Sequence, residues 1–330
     1  MKKFIFFSLC SCLLLTGCHD NDKKSVIREF NKKFHNSNGY HLVGTLEVHN
    51  NDDVFNYDVN VYYKKNQYYK VILVNSASQH TQIIVKNADG VFVLTPAFNK
   101  SFKFQSDWPY DNSQIYLLDA LVKDIEKDKN IHYLKNDNGY VVQTKVYYPN
   151  NSKLINQKIF FNAKKQLKKV VVYDKNGIDS MTMVFKKIEY SQKLSKKDFR
   201  VDDVMNQKYS NKTSSTGSLD DIIYPLFVPG GTKLVKEENV AKDQGKRVLM
   251  NYDGEKSFLL VEETADVFYD FTIIPSFGEP FFLMDTMGVM TDNSLSWSSG
   301  GIDFYLVSDV MSIDEMVEIA QSIGTVSSMK

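Results

Sequence analysis

Residues 54–63 alternate clearly: Phe55, Tyr57, Val59, Val61 and Tyr63 on one side, Asn56, Asp58 and Asn60 on the other. A period of two sustained over ten residues fits an extended strand with one buried face, and it excludes a helix there. The stretch Tyr40 to Val48 reads the same way, with Tyr40, Leu42, Leu46 and Val48 opposed to His41, Thr45 and Glu47. Further strands are expected at 68–75, 81–87, 91–95, 131–136, 140–148, 154–162, 167–174 and 180–191. Asp89-Gly90, Asn138-Gly139 and Asn176-Gly177 supply tight turns between them. Short turns and alternating faces mean an antiparallel sheet.

Two segments break the period. Val26, Ile27, Phe30 and Phe34 fall at helical spacing, so 22–36 reads as an amphipathic helix. Ile115, Leu118, Leu121, Val122 and Ile125 mark a second helix over 112–128, reached by a loop from Pro96 through Trp108-Pro109. The order is helix, five strands, helix, five strands, filling 25–206.

Residues 207–218 are rich in Ser, Thr, Asn and Lys and read as a linker. Beyond it, 219–330 reads as a smaller α+β domain. It has a hairpin around Asp253-Gly254, strands near 266–274, 281–290 and 302–307, and a closing helix at 313–323. Ser312 and Glu315 form a capping box for that helix, and Gly324 is expected to stop it.

The N-terminus reads as an address. Met1-Lys2-Lys3 precedes an apolar run from Phe4 to Leu15, too short to span a bilayer, and then Leu15-Thr16-Gly17-Cys18. This is an export signal over 1–17 that ends in a lipobox-like site, with Cys18 as the lipid attachment point and 18–24 as a tether. The expected location is the extracytoplasmic face of the cell membrane, held by a lipid anchor. Cys10 and Cys12 leave with the signal, so no disulfide can form within the mature chain.

The formal net charge is zero, yet the chain is not uniform. Residues 145–200 carry 14 basic and 4 acidic side chains, whereas 201–330 carry 9 basic and 21 acidic. The basic stretch suits solvated strand faces, an anionic lipid surface or the acidic C-terminal domain. Nucleic acid is not an expected partner of an exported chain with a neutral total.

Catalytic signatures are missing from the sequence. The six histidines all lie before residue 133, and no His-Glu-x-x-His, Gly-x-Ser-x-Gly or phosphate-loop pattern occurs. No enzyme activity, metal or cofactor is expected. What stands out is aromatic content, 22 Phe, 19 Tyr and 2 Trp. Leu46, Phe55, Tyr57, Val59, Val61, Tyr63, Phe92, Leu94, Phe102 and Phe104 are the candidates to line an apolar cavity, or else to pack as core beneath the helices. Alternation alone does not separate these two. Trp108 is a candidate lid or partner contact, or a local packing anchor.

Several segments together resemble a known family. They are Asp89-Gly90-Val91-Phe92-Val93-Leu94-Thr95-Pro96 with Asn99 to Phe104, Gln157 to Phe161, the Leu167 to Gly177 hairpin, and Leu194-Ser195-Lys196-Lys197-Asp198-Phe199. Over about 25–204 the pattern resembles the LolA/LolB-type proteins. The two-domain layout looks most like the Firmicute sporulation lipoproteins of the YdcC kind, often labelled outer-membrane lipoprotein-sorting proteins. The resemblance implies a half-open antiparallel β-barrel with a helical lid, and a lipid or acyl chain as ligand in its cavity. The alternative is a non-enzymatic scaffold for an envelope or spore-cortex protein partner. LolA-type carriers are soluble, whereas this chain carries its own anchor signal, so shuttling does not transfer with the fold.

Overall fold

The computed structural model describes residues 18–50, 53–106, 108, 113–148, 152–207, 219, 222–283 and 286–328. The export signal and all but the first residue of the expected linker lie outside the described residues.

Helix α1 (Cys18–His35) is followed by six strands: β1 (Gly39–Asn50), β2 (Asp53–Lys64), β3 (Tyr68–Asn75), β4 (Thr81–Asn87), β5 (Gly90–Thr95) and β6 (Lys100–Phe104). Helix α2 (Leu118–Lys127) leads to β7 (His132–Asn136), β8 (Gly139–Lys145), β9 (Leu154–Asn162), β10 (Leu167–Asp174) and β11 (Asp179–Tyr190), then short α3 (Val201–Met205). The C-terminal part holds β12 (Thr232–Ala241), β13 (Lys246–Gly254), β14 (Phe258–Thr264), β15 (Thr272–Ser276), β16 (Glu279–Leu283), β17 (Thr286–Met290), β18 (Ser294–Ser299), β19 (Ile302–Val307) and α4 (Ile313–Ser328).

Two open sheets result. The larger runs β15-β6-β5-β4-β3-β2-β1-β11-β10-β9-β8-β7, and the smaller β12-β13-β14-β19-β18-β17-β16. Each half of the large sheet is a meander of sequential hairpins, and the long-range pairing of β1 with β11 joins them. A register shift at Val43/Gly44 marks that seam. A Cβ at Gly44 would lie 2.3 Å from the Val184 carbonyl oxygen, so only glycine lets the two backbones approach. Strand β15 leaves the C-terminal part and pairs in parallel with β6, which sews the two halves of the chain together.

The core has three parts. The main one lies between one face of the large sheet and helices α1 and α2. A second lies between the small sheet and α4. The third packs α3 and Phe199 on the outer face of β4 and β5, over Ile83, Val85, Phe92 and Leu94.

The differences from the sequence reading have local causes. A sixth strand, β6, replaces part of the expected loop, because Lys100 to Phe104 can pair with both β5 and β15. Helix α1 starts at Cys18 rather than after a tether. Residues 18–25 contain neither Pro nor Gly, and a helix already nucleated by packing at Val26 and Phe30 extends at little cost. Helix α4 has the expected cap: the Ser312 backbone N–H donates to Glu315 Oε2 at 2.8 Å, and the Glu315 N–H to Ser312 Oγ at 3.4 Å. It then runs through Gly324 to Ser328, since one glycine costs a helix only about 1 kcal/mol. Residues 266–271, expected as strand, form a loop, and pairing begins at Thr272.

Candidate functional site

The helix-covered face of the large sheet carries a row of side chains set by cross-strand register. Tyr190 opposes Tyr40, Tyr40 opposes Tyr63, Tyr63 opposes Tyr69, Tyr69 opposes Lys86, Lys86 opposes Val91, and Val91 opposes Phe104. Directly opposed residues share a face, so these seven strands present one aromatic-rich band. Tyr40 and Tyr63 stack at 5.0 Å, Tyr63 and Tyr69 lie 5.0 Å apart, and Phe34 of α1 stacks on Tyr63 at 5.8 Å.

This band seats α2. The backbone N–H of Leu118, an orphan donor in the first turn, donates to the Tyr40 hydroxyl at 3.3 Å. The Tyr69 hydroxyl donates to Asp119 Oδ2 at 2.7 Å. Burial pushes the Asp119 carboxyl above the usual carboxylate range, against the pull of the Tyr69 hydrogen bond and of Lys123. One turn on, Asp124 accepts from the Ser113 hydroxyl at 2.8 Å and from Gln157 Nε2 at 2.9 Å. Its carboxyl is raised by burial to about 6.

Leu46, Tyr57, Val59, Val61 and Phe104 all lie on this face, none more than 2% exposed, with Phe55, Tyr63 and Phe102 partly buried beside them. They meet α1, α2 and the small sheet rather than an open space. Phe92 and Leu94 do not join them. They oppose Lys103 and Ser101, whereas Phe102 and Phe104 oppose Val93 and Val91. Phe92 and Leu94 therefore point to the outer face, beneath Phe199 and Val204. Trp108 is 3% exposed and meets Tyr69 edge-on at 5.9 Å, while its carbonyl oxygen accepts from Lys86 Nζ at 2.6 Å. That is the packing anchor of the two readings, not a surface contact.

Over β4 to β6 the small sheet provides the cover. Gln82 Nε2 donates to Thr286 Oγ1 at 2.7 Å, and the Met287 N–H donates to Gln82 Oε1 at 2.6 Å. Lys100 Nζ lies 3.0 and 3.2 Å from the two Asp303 carboxylate oxygens and 3.3 Å from Ser298 Oγ. The cavity between the sheets, lined by Phe102, Phe104, Met287 and Val289 among others, measures about 40 Å³. A ligand pocket usually needs roughly 300 Å³ or more, and about 30 Å³ is the share of one water. Among the described residues, the candidates on this face are packed against α1, α2 and the small sheet.

The exposed apolar groups lie elsewhere. Around β15, Tyr269 is 97% exposed and Phe277 79%, with Val267 and Ile273 about half exposed. The backbone beneath them is fixed. The Phe268 N–H donates to the Phe98 carbonyl oxygen, and Asn99, itself left-handed at φ 50°, binds the Phe268 carbonyl oxygen at 3.0 Å and accepts the Thr272 N–H at 2.9 Å through its own carbonyl. At the other end Phe277 precedes Gly278 at φ 115°, where a Cβ would lie 2.1 Å from the Met290 carbonyl oxygen. Because Thr272 points its N–H at β6, the parallel alternation turns position 275 to the free edge. Pro275 has no N–H to offer there, which blunts strand addition and leaves side chains as the contact. Sequence alternation did not single out this segment. Its signal, Tyr and Phe among Asp, Pro and Gly, is compositional only.

Among the described residues no group of three or more His, Cys, Asp or Glu is placed to hold a metal ion. No helix among them is long and apolar enough to cross a membrane.

Across its length the chain is 33% identical to the sporulation protein YdcC of Bacillus subtilis, covering 99% of this chain and 98% of that one. It belongs to the YdcC family. No protein-family model matches it. Among solved structures, this YdcC-family chain is similar to the MucA/MucB complex of Pseudomonas aeruginosa at 11% identity and a TM-score of 0.32, covering 91% of this chain and 98% of that one. It is similar to the structure of the CwlD amidase with the GerS lipoprotein from Clostridioides difficile at 22% identity and 0.32, covering 51% and 95%. It is also similar to the LolA superfamily protein NE2245 of Nitrosomonas europaea at 14% identity and 0.32, covering 55% and 98%. TM-scores near one third are too low to carry an argument about function.

Proposed function

We propose that this chain is a non-enzymatic scaffold, tethered through Cys18 outside the cytoplasmic membrane, that holds an envelope protein partner at the β15 edge. A role in sporulation follows from the family. The observation that carries the reading is a contrast. The face on which a half-open barrel would hold an acyl chain is packed, while Tyr269 and Phe277 stand in water on a fixed backbone. Each such side chain forgoes roughly 1.5–3 kcal/mol of burial, which a partner can recover. A backbone already held by Asn99 keeps the ordering cost of binding low.

A lipid in the sheet would require α2 to leave the hydroxyls of Tyr40 and Tyr69 and the small sheet to part from β4–β6. The test is a photo-crosslinking residue placed at position 269 in sporulating cells of the source organism. One protein adduct of defined mass is expected, lost when Phe277→Ala is added, and absent when the crosslinker sits at Lys233. No protein adduct, or an adduct with lipid only, would overturn the reading.

A further inference from the structure

Helix α1 has two opposed faces. Val26, Phe30 and Phe34 are buried, and Lys24, Arg28 and Lys32, spaced four apart and half a turn away, are exposed. Five contacts fix where the helix lies. Lys165 Nζ, in the β9–β10 turn, is 2.7 Å from both Ser25 Oγ and Glu29 Oε1. Phe30 meets Phe161 edge-on at 5.6 Å, and Phe34 stacks on Tyr63. His35 Nε2 lies 3.3 Å from Glu126. Glu126 belongs to α2, and the other partners sit where β9 turns into β10 and where β2 ends, so α1 lies across that end of the large sheet.

The same end carries the β2–β3 turn with Lys65, the β9–β10 turn with Lys164, and the segment after β11 with Lys193, all exposed. Its carboxylates are largely answered locally: Glu29 by Lys165, Glu126 by His35 and Asn31, and Glu189 by Lys187 at 2.7 Å. Asp89 and Asp137 in neighbouring turns leave the balance basic. The acidic C-terminal part runs along β6 at the edge of the sheet; it meets the opposite end through Lys100–Asp303 and a Ser152 hydroxyl on Asp314 at 2.6 Å, and the near end, at that edge, through a Ser106 hydroxyl on Glu279. The part of this end that lies beneath α1 is therefore basic.

We infer that the α1 end is a docking face for an anionic phospholipid surface, with Lys24, Arg28 and Lys32 against the headgroups. The charge complementarity is with lipid phosphate, and the helix that carries these side chains starts at Cys18, the expected anchor. Two acyl chains on Cys18 would anchor the chain by themselves, and each basic side chain near an anionic surface adds roughly 1 kcal/mol to that. The inference is separate from the partner reading, and it does not require Cys18 to be acylated.

The test uses the chain from residue 18, which holds all three apolar clusters, with Cys18→Ser so that no lipid contributes. Binding is measured by flotation on vesicles of phosphatidylcholine alone and with about 30% phosphatidylglycerol, at low salt and again at about 0.5 M salt, where exposed charges are screened. At low salt, binding at least tenfold tighter to the anionic vesicles is expected, and it should be lost at high salt. Lys24→Glu, Arg28→Glu and Lys32→Glu together should remove it, as should Lys65→Glu with Lys164→Glu, which leaves the helix untouched. Reversal of Lys233, Lys236 and Lys246 on the small sheet should not. Equal binding to both vesicle types, or equal losses from α1 and small-sheet reversals, would overturn the inference. So would a chain that ignores anionic vesicles but loses an acidic protein partner on α1 reversal.

Discussion

Glu262 sits on β14 with none of its surface exposed, on the face that packs with Val248 and Phe304. One carboxylate oxygen accepts the Ile223 N–H at 3.0 Å and the other has no hydrogen-bond partner. Burial raises its pKa from 4.5 to about 7, with the charge of Glu237 adding to the rise. A raised carboxyl stabilises the fold fully below about pH 4.5 and loses that contribution as pH climbs through about 7. Glu262→Gln is therefore expected to raise the melting temperature at pH 8, by an effect on the order of 2 kcal/mol, and to change little at pH 5. Thermal melts of both proteins at the two pH values check this, and a pH-independent difference would contradict it. Lys100 poses the opposite case. Lys100→Met strands the Asp303 carboxylate between the sheets and should cost about 3–5 kcal/mol in urea unfolding. Adding Asp303→Leu should restore most of the loss, because the paired charges contribute less than a well-packed apolar replacement.

At the scale of elements, helix α2 is held by hydroxyls as much as by its apolar stripe. Tyr69→Phe removes a hydroxyl that Asp119 accepts and is expected to cost about 1–3 kcal/mol. Hydrogen exchange should rise in α2 before it rises in β1 or β2, and uniform protection would contradict this seating. The strands were legible because their pattern is local. Leu154–Asn162 and Leu167–Asp174 have the bounds that alternation gives, and Ser312, one residue ahead of α4, announces it together with Glu315. What escaped depends on partners distant in sequence. Whether Phe92 faces inward is decided by the β5–β6 register, which places it opposite Lys103, and no property of Phe92 itself reveals this. Strand β6 exists because β5 flanks it on one side and β15, some 170 residues later, on the other. The site was less legible than the fold: Asp119 was one acid in an amphipathic helix, and only the opposing Tyr69 gives it a role.

For the whole molecule, filling one face changes what the chain can do. Phe55 packs against both the main core and the small-sheet core, so the two halves share one apolar interior at that point. The groups left in water at the β15 edge should then matter for binding and not for stability. Tyr269→Ala with Phe277→Ala is expected to shift unfolding by less than about 0.5 kcal/mol each, as for surface positions generally, while abolishing partner capture. A large loss of stability would mean that these rings are packed after all. The most direct test of a filled sheet face is native mass spectrometry of the chain from residue 18, with Cys18→Ser, purified without detergent from cells that supply their own lipids. The bare chain mass is expected, with no binding of a fluorescent fatty acid. One lipid per chain, released on extraction, would contradict a packed face and make the band from Tyr40 to Phe104 the floor of a ligand cavity.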